Sequence, residues 1–206
     1  MPNHAMRFDK GGSLLLDTSH EAENLSLSSY SLFTPAFLSG HSVVSCGLNS
    51  MEEKAIQDRW HELDSHCWGC GRSNEQGLKL KSFWDGDEVV ATWQPEEYHM
   101  AFPGVLNGGI IATLIDCHSV NTANAAACKA EDREYDETPL SGYVTGSLSV
   151  KYLKPTPIDG PVSLRARVKE IKKRKITVTC SLFSGETECA TGEVIAISVD
   201  TSNLLG

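Results

Sequence analysis

The sequence predicts an α+β fold in which one curved antiparallel sheet wraps a single long, buried helix. Three observations predict it. The chain has one long apolar segment, residues 102–127; one candidate β-hairpin precedes it, and four segments of alternating polar and apolar residues follow it. A helix that is apolar on nearly all sides must be covered by other elements. An antiparallel sheet of about five to six strands can provide that cover.

Two elements are predicted before the long helix. The segment "MEEKAIQDRWHEL", which begins at Met51, has the spacing of a short amphipathic helix. The segment "GLKLKSFWDGDEVVATWQP" predicts a β-hairpin, because alternating residues flank Asp85-Gly86, a dipeptide that favours tight turns.

The long helix is predicted to begin after Asn107, a residue type that favours the N-cap. Two features of this segment break local rules. Gly108 and Gly109 are adjacent glycines, each costing about 1 kcal/mol in a helix relative to Ala, and Asp116 places an acid in an apolar run, where an unpaired charge costs more. Such conflicts tend to mark functional or strained sites.

Four strands are predicted after the helix. In each of them, every second residue is mostly apolar. These residues should share one face of the sheet, because side chains alternate between the two faces along a strand. The first of these strands holds Val144, Leu148, Val150 and Tyr152 at those positions; the second holds Val162, Leu164, Ala166 and Val168; the third holds Ile176, Val178, Cys180 and Leu182; and "ATGEVIAISV" forms the fourth.

Composition bounds the domain organisation and the partners. Residues 1–50 are serine-rich without a sustained period and are predicted to be a low-order extension, and residues 51–206 are predicted to form the folded domain. The net charge of -9 argues against nucleic acid as a partner, and no apolar run is long enough for a membrane span. The 7 cysteines and the missing secretory signal predict free thiols and a cytoplasmic location.

Three stretches carry a resemblance to a known family. "HCWGCGRSNEQGLKL", "FPGVLNGGIIATLID" and "YVTGSLSVKYLKPTP", taken together, resemble the PaaI-like branch of the hotdog-fold acyl-CoA thioesterases. The similarity runs from about residue 60 to 200. It implies the hotdog fold, an acyl-CoA substrate that is hydrolysed to a free acid and CoA, and no metal or redox cofactor.

The resemblance also implies a set of catalytic residues. Asp116 corresponds to the family's acid, the backbone N–H of Gly108 to its oxyanion donor, and Thr145 to a residue that helps to place the acid or the water. The family usually has His where this chain has Asn107, which can still donate a hydrogen bond and cap the helix. Simpler interpretations are close helix packing for the glycines, a salt-bridged surface acid for Asp116, an N-cap for Asn107 and a strand surface position for Thr145.

The spacing of the helix residues predicts at least a dimer. Gly108 and Asp116 are eight residues apart, so they lie about 12 Å apart along a helix. One thioester carbonyl cannot contact both within one chain, but it can if two helices pack antiparallel. At least a dimer is therefore expected, with Gly108 from one subunit and Asp116 from the other, which agrees with the resembled family. A homodimer and a homotetramer built as a dimer of dimers both remain open. Asp116 then acts as general base or as nucleophile.

Substrate contacts are predicted in two places. An acyl pocket is expected to be lined by loop and helix residues, and a basic turn within "KEIKKRK" is expected near the CoA phosphates, although such turns are usually only solvated. The predicted substrate-binding residues are Gly109, Phe102, Ser119, Lys151, Lys173 and Arg174.

Two other features are weighed against catalysis. "HCWGC" holds a single C-x-x-C without a second ligand pair, so no metal site is expected. His118, two residues after Asp116, should point to the other side of the helix and should not share its pocket.

Two other functions remain open. A hydroxyacyl dehydratase would need a His where Asn107 stands. A non-catalytic acyl-CoA-binding protein would not need Asp116.

Overall fold

The computed structural model describes residues 54–62, 65–133 and 141–200. Two short 3₁₀ helices span Ile56–Arg59 and Glu97–His99, and the long helix α1 spans Gly108–Ala130. The strands are β1 (Ser82–Asp85), β2 (Glu88–Trp93), β3 (Met100–Phe102), β4 (Val105–Leu106), β5 (Ser141–Tyr152), β6 (Val162–Lys172), β7 (Lys175–Ser184) and β8 (Thr187–Asp200).

Six of these strands form one antiparallel sheet that covers α1. Their order is β1-β2-β6-β7-β8-β5, and every one of the six contacts the helix. The core between them is apolar and includes Leu114 and Ile115 from α1, which are fully buried. This arrangement confirms the predicted hotdog plan, with β3 and β4 forming a separate two-stranded ribbon before the helix.

The predicted hairpin and the predicted basic turn are both confirmed. β1 pairs with β2 around Gly86, whose φ of 60° suits glycine. Lys173, with a φ of 49°, makes the turn between β6 and β7. Among the described residues, no helix is long and apolar enough to cross a membrane.

The predicted helix that begins at Met51 is wrong in its described part. The chain forms only the 3₁₀ turn Ile56–Arg59, and residues 1–50 lie outside the described residues. A tertiary contact explains the difference: the amide of buried Gln57 donates to the Ser82 hydroxyl at 2.9 Å and its oxygen accepts from the Ser82 N–H at 2.8 Å. Those bonds hold the segment against the start of β1, and they outweigh a weak helical propensity.

The predicted face alternation of β5 is also corrected. The pairing of β5 with β8 shifts register between Thr145 and Ser147, which marks a β-bulge at Gly146. A Cβ on Gly146 would overlap the side chain of Ile197 on β8. The bulge adds one residue to β5 and so reverses the alternation of its side chains. As a result, Thr145 before the bulge and Tyr152 after it both point toward α1. Val144 therefore does not share a face with Tyr152.

Candidate active site

The first turn of α1 is built by Asn107. The Asn107 side-chain oxygen accepts hydrogen bonds from the N–H groups of Gly109 at 2.7 Å and Ile110 at 3.4 Å. The cap thus leaves the Gly108 N–H, at the positive end of the helix dipole, without an acceptor among the described residues. This N–H can serve a developing oxyanion, which is the role predicted for it.

Tyr152 reaches the same turn from β5. Its hydroxyl donates to the Gly108 carbonyl at 2.8 Å, and a Cβ on Gly108 would lie 3.4 Å from its ring. Sequence reasoning assigned Tyr152 no role, although its position on the strand after the helix was a usable signal. The Tyr152 side chain is 55% exposed, so it forms an open wall beside the helix start.

Asp116 and Thr145 meet on the open side of α1. The Thr145 hydroxyl donates to the Asp116 carboxylate at 2.6 Å, so the structure brings this predicted pair together. Burial raises the pKa of Asp116 above its usual range, the Thr145 bond lowers it in part, and the charge of Cys67 raises it. A carboxylate with a raised pKa is a stronger base.

The two halves of the predicted site do not meet within one chain. Gly108 is the first residue of α1, and the helix continues unbroken through Asp116. At a rise of about 1.5 Å per residue, the two are about 12 Å apart. One carbonyl can therefore contact both an acid and an N–H donor only if the start of a second α1 helix lies near Asp116.

The other predicted contacts are spread over the molecule. Gly109 and Phe102 are exposed, Phe102 by 73%. Ser119 is fully buried with its hydroxyl beside Cys180, so it is not among the side chains around Asp116.

The predicted basic residues lie at opposite ends of the sheet. Lys151 pairs with Thr191 near the start of β8, whereas Arg174 donates to the carbonyl of Ser198 near its end. Lys173 neighbours Arg174 in the β6–β7 turn. One chain therefore does not gather Lys151 and this turn around a single ligand.

His118 lies in a buried network on the far side of α1, as its spacing from Asp116 predicted. Its two ring nitrogens contact the Ser82 hydroxyl at 2.9 Å and the Val89 carbonyl at 3.0 Å. The N–H on Nε2 donates to the carbonyl, so Nδ1 accepts from Ser82. Burial lowers the pKa of His118 to about 4.

A cavity of about 590 Å³ lies beside the start of α1. Ile110 of the first turn lines it, together with acidic, amide, aromatic and aliphatic side chains. Its other lining residues include Trp68, Leu78, Trp93, Tyr98 and His99. Phe102, predicted to line an acyl pocket, is not among them.

Three cysteines also come together next to this region. Cys67 and Cys70 belong to the C-x-x-C segment, and Cys117 follows Asp116 on α1. The Cys67 and Cys117 sulfurs lie 3.7 Å apart. Hydrogen bonding from Cys117 lowers the pKa of Cys67, and the same bond raises the pKa of Cys117.

The chain matches curated enzymes over part of their length. It is 29% identical to the acyl-coenzyme A thioesterase THEM4 of Xenopus laevis over 54% of this chain and 44% of that protein. It is 27% identical to the Mus musculus protein of the same name over 62% and 51%. The chain therefore spans about half the length of the curated relatives it matches.

The family model and the solved structures agree. A thioesterase from Haemophilus influenzae shares the fold at 17% identity, with a TM-score of 0.52 over 64% of this chain and 86% of that one. A thioesterase superfamily protein from Shewanella loihica is 36% identical over 57% of this chain and 89% of its own, with a TM-score of 0.47. Residues 103–191, which include α1 and β5, match the model of the thioesterase superfamily. The chain belongs to the thioesterase superfamily.

Proposed function

We propose that the protein is an acyl-CoA thioesterase that hydrolyses its substrate to a free acid and CoA. The observation that carries this proposal is the Asp116 carboxylate, held by Thr145 at 2.6 Å on the open side of α1. The names of the curated relatives, acyl-coenzyme A thioesterases, support the substrate class. A cytoplasmic location stays a prediction from the cysteine content.

In the proposed reaction, Asp116 provides the base or the nucleophile. As a base it removes a proton from water, whose oxygen attacks the thioester carbonyl; as a nucleophile its oxygen attacks directly and forms an anhydride that water then opens. In either route the carbon–sulfur bond breaks and the CoA thiolate takes up a proton. The Gly108 N–H stabilises the negative charge on the carbonyl oxygen, while Thr145 holds the carboxylate in position.

The proposed site forms between two subunits. β5 is an edge of the six-stranded sheet and pairs only with β8 among the described strands. It exposes apolar side chains, including Leu148 at 38% and Tyr152 at 55%, and an unpaired apolar edge favours pairing with another strand. Antiparallel pairing of two β5 edges would bring the Gly108 end of one chain toward Asp116 of the other.

The same pairing supports the predicted CoA contacts. Lys151 lies at the Tyr152 end of β5, and Lys173 and Arg174 lie near the opposite end of the sheet. In an antiparallel dimer, Lys151 of one chain approaches the basic turn of the other, so both can face the phosphates of one CoA. A further pairing of two dimers would give the predicted tetramer.

The cavity beside Ile110 is the proposed acyl pocket. Its volume of about 590 Å³ lies in the range of small-molecule sites, and it adjoins the turn that carries the Gly108 N–H. Trp68, Leu78 and Trp93 offer apolar surface to an acyl chain. We therefore expect substrates with an apolar acyl group to be preferred over acetyl-CoA.

Thiol release from acyl-CoA measures the proposed activity directly. A panel of short, long and aromatic acyl-CoAs is incubated with the wild-type protein, with Asp116→Ala, and with Asp87→Ala, which removes an exposed acid in the β1–β2 turn. We expect turnover in the wild type and in Asp87→Ala, and a loss of two or more decades in Asp116→Ala. Binding of acyl-CoA without turnover in any of the three would favour a non-catalytic acyl-CoA-binding protein.

A further inference from the structure

The cysteine cluster is defined by Cys67, Cys70 and Cys117. All three sulfur atoms lie within 4.8 Å of one another, and those of Cys67 and Cys117 are 3.7 Å apart. Cys117 joins the C-x-x-C segment although it is 50 residues away from Cys67 in sequence. The segment "HCWGC" alone holds too few ligands for a metal site, and the fold supplies the third thiol, Cys117, from α1.

The spacing of these sulfurs suits a tetrahedral metal ion. With a Zn–S bond of about 2.3 Å, two sulfurs on one tetrahedral zinc lie about 3.8 Å apart. The distance of 3.7 Å between Cys67 and Cys117 agrees with that spacing. A disulfide would need the sulfurs at about 2.0 Å.

Two glycines allow the C-x-x-C loop to lie close to α1 and to fold closely on itself. Gly69 lies so near Cys117 that a Cβ there would overlap the Cys117 sulfur, and a Cβ on Gly71 would overlap the backbone of Cys67. Only glycine at both positions allows the C-x-x-C loop to fold tightly on itself and against α1. The loop is thus fixed with its two sulfurs facing the helix cysteine.

A hydrogen-bond donor reaches the Cys70 sulfur, because the Asn121 side-chain amide donates to it at 3.4 Å. Donors that point at sulfur stabilise thiolates, and such outer contacts orient the ligands of a metal.

We propose that Cys67, Cys70 and Cys117 bind one Zn²⁺ ion per chain as thiolates. Their remaining protons leave to solvent when the ion binds. A water molecule completes the tetrahedron, because Cys67 is exposed and no fourth histidine, cysteine or carboxylate ligand belongs to the cluster in the described part of the chain. Three thiolates favour Zn²⁺ over hard ions such as Mg²⁺.

The proposed ion has a structural consequence beside the candidate active site. The C-x-x-C loop carries Trp68, which lines the cavity at the start of α1, and Cys117 directly follows Asp116. Zinc would connect the loop that carries Trp68 to the part of α1 that carries Asp116. Binding of zinc does not depend on the proposed hydrolysis, so the two proposals can fail separately.

Metal titration of the full chain tests the site. The protein is reduced, stripped with a chelator, and titrated with Zn²⁺ against a chromogenic zinc chelator; Co²⁺ is then used as a spectroscopic probe. We expect one ion per chain, thiolate-to-cobalt charge-transfer absorption, and a higher Tm with zinc than without it. Cys117→Ser and the exposed-site variant Cys67→Ser should each weaken zinc binding by at least about tenfold.

The control is Cys128→Ser, which changes another buried cysteine of α1 outside the cluster and should bind zinc like the wild type. Because Cys67 is exposed, its variant should fold even if Cys117→Ser does not. The proposal is overturned if the folded, reduced protein binds no stoichiometric zinc, or if zinc binds equally well to Cys67→Ser. Recovery of a Cys67–Cys70 disulfide with no zinc affinity after reduction would also overturn it.

Discussion

Asp116 and His118 are two residues apart on α1, yet the fold gives them opposite environments. His118 is fully buried, and both of its ring nitrogens have partners. Asp116 is only partly buried, and within the described part of the chain the Thr145 hydroxyl is the one group that hydrogen-bonds to its carboxylate. A satisfied, buried group serves the fold, whereas a charged group with spare hydrogen-bonding capacity on an open face is available for chemistry.

The largest expected effect separates activity from stability at Asp116. Asp116→Asn keeps the shape of the side chain and still accepts from Thr145, but it can neither take a proton nor attack a carbonyl. We expect kcat for acyl-CoA hydrolysis to fall by about 10² or more, while Tm stays the same or rises because a partly desolvated charge is removed. Steady-state thiol release and thermal unfolding on the same sample measure both. Retained activity would remove Asp116 from the site.

The next effect is the dependence of folding stability on pH that the buried His118 side chain causes. Its folded-state pKa of about 4 lies below the unfolded value of about 6.5, so the unfolded state binds the proton first as pH falls. The contribution to stability is complete above pH about 6.5 and is lost progressively down to pH about 4, for a total of about 3 kcal/mol.

Urea unfolding at a series of pH values measures this loss. The variant His118→Gln replaces the imidazole with an amide that can form hydrogen bonds but does not titrate. We expect the slope of its unfolding free energy against pH in this window to decrease by the equivalent of one proton, about 1.4 kcal/mol per pH unit. The variant should be less stable than the wild type at neutral pH, because the bonds to Ser82 and Val89 are disturbed. An unchanged slope would mean that His118 is protonated equally in both states.

The smallest effect concerns the hydroxyl that holds Asp116. Thr145→Val removes the hydrogen bond that lowers the pKa of Asp116, so that pKa should rise further. The acidic limb of the kcat/KM profile should therefore move to higher pH, and kcat/KM at its plateau should fall by about tenfold as the carboxylate loses its anchor. Thr145→Ser is the matched control and should keep both. A Val variant with the wild-type pH profile would contradict the proposed role of Thr145.

Features defined by neighbouring residues could be predicted from the sequence. The start of α1 follows from Asn107, whose side chain caps two N–H groups, and the β1–β2 turn follows from Gly86. The placement of His118 away from Asp116 follows from helix geometry alone. Each of these depends on one short segment.

Features defined by distant residues could not be predicted. The bulge at Gly146 depends on Ile197 of another strand, and without it simple alternation would point Thr145 away from α1. The third thiol of the cysteine cluster comes from Cys117, far from the C-x-x-C segment in sequence. Residues that approach only through folding leave no local pattern.

The central claim is that a catalytic site takes Asp116 from one subunit and the Gly108 N–H from the other. Gly108→Pro tests the donor, because proline at the first helical position removes this N–H and suits a helix start, and its Cβ would lie in ordinary contact with the Tyr152 ring, 3.4 Å away. Asn107, with a φ of -63° and a ψ of 131°, already has the extended conformation that precedes proline. The single variants Asp116→Asn and Gly108→Pro should both be nearly inactive.

The most direct measurement is hydrolysis of acyl-CoA by the two inactive variants after they are unfolded and refolded together. Random pairing makes half of the dimers mixed, and each mixed dimer has one site with both groups intact, so about a quarter of the wild-type activity should return. Refolding each variant alone should return none. No recovery in the mixture, with mixed dimers shown to form, would contradict a site shared between Asp116 and Gly108 of different subunits.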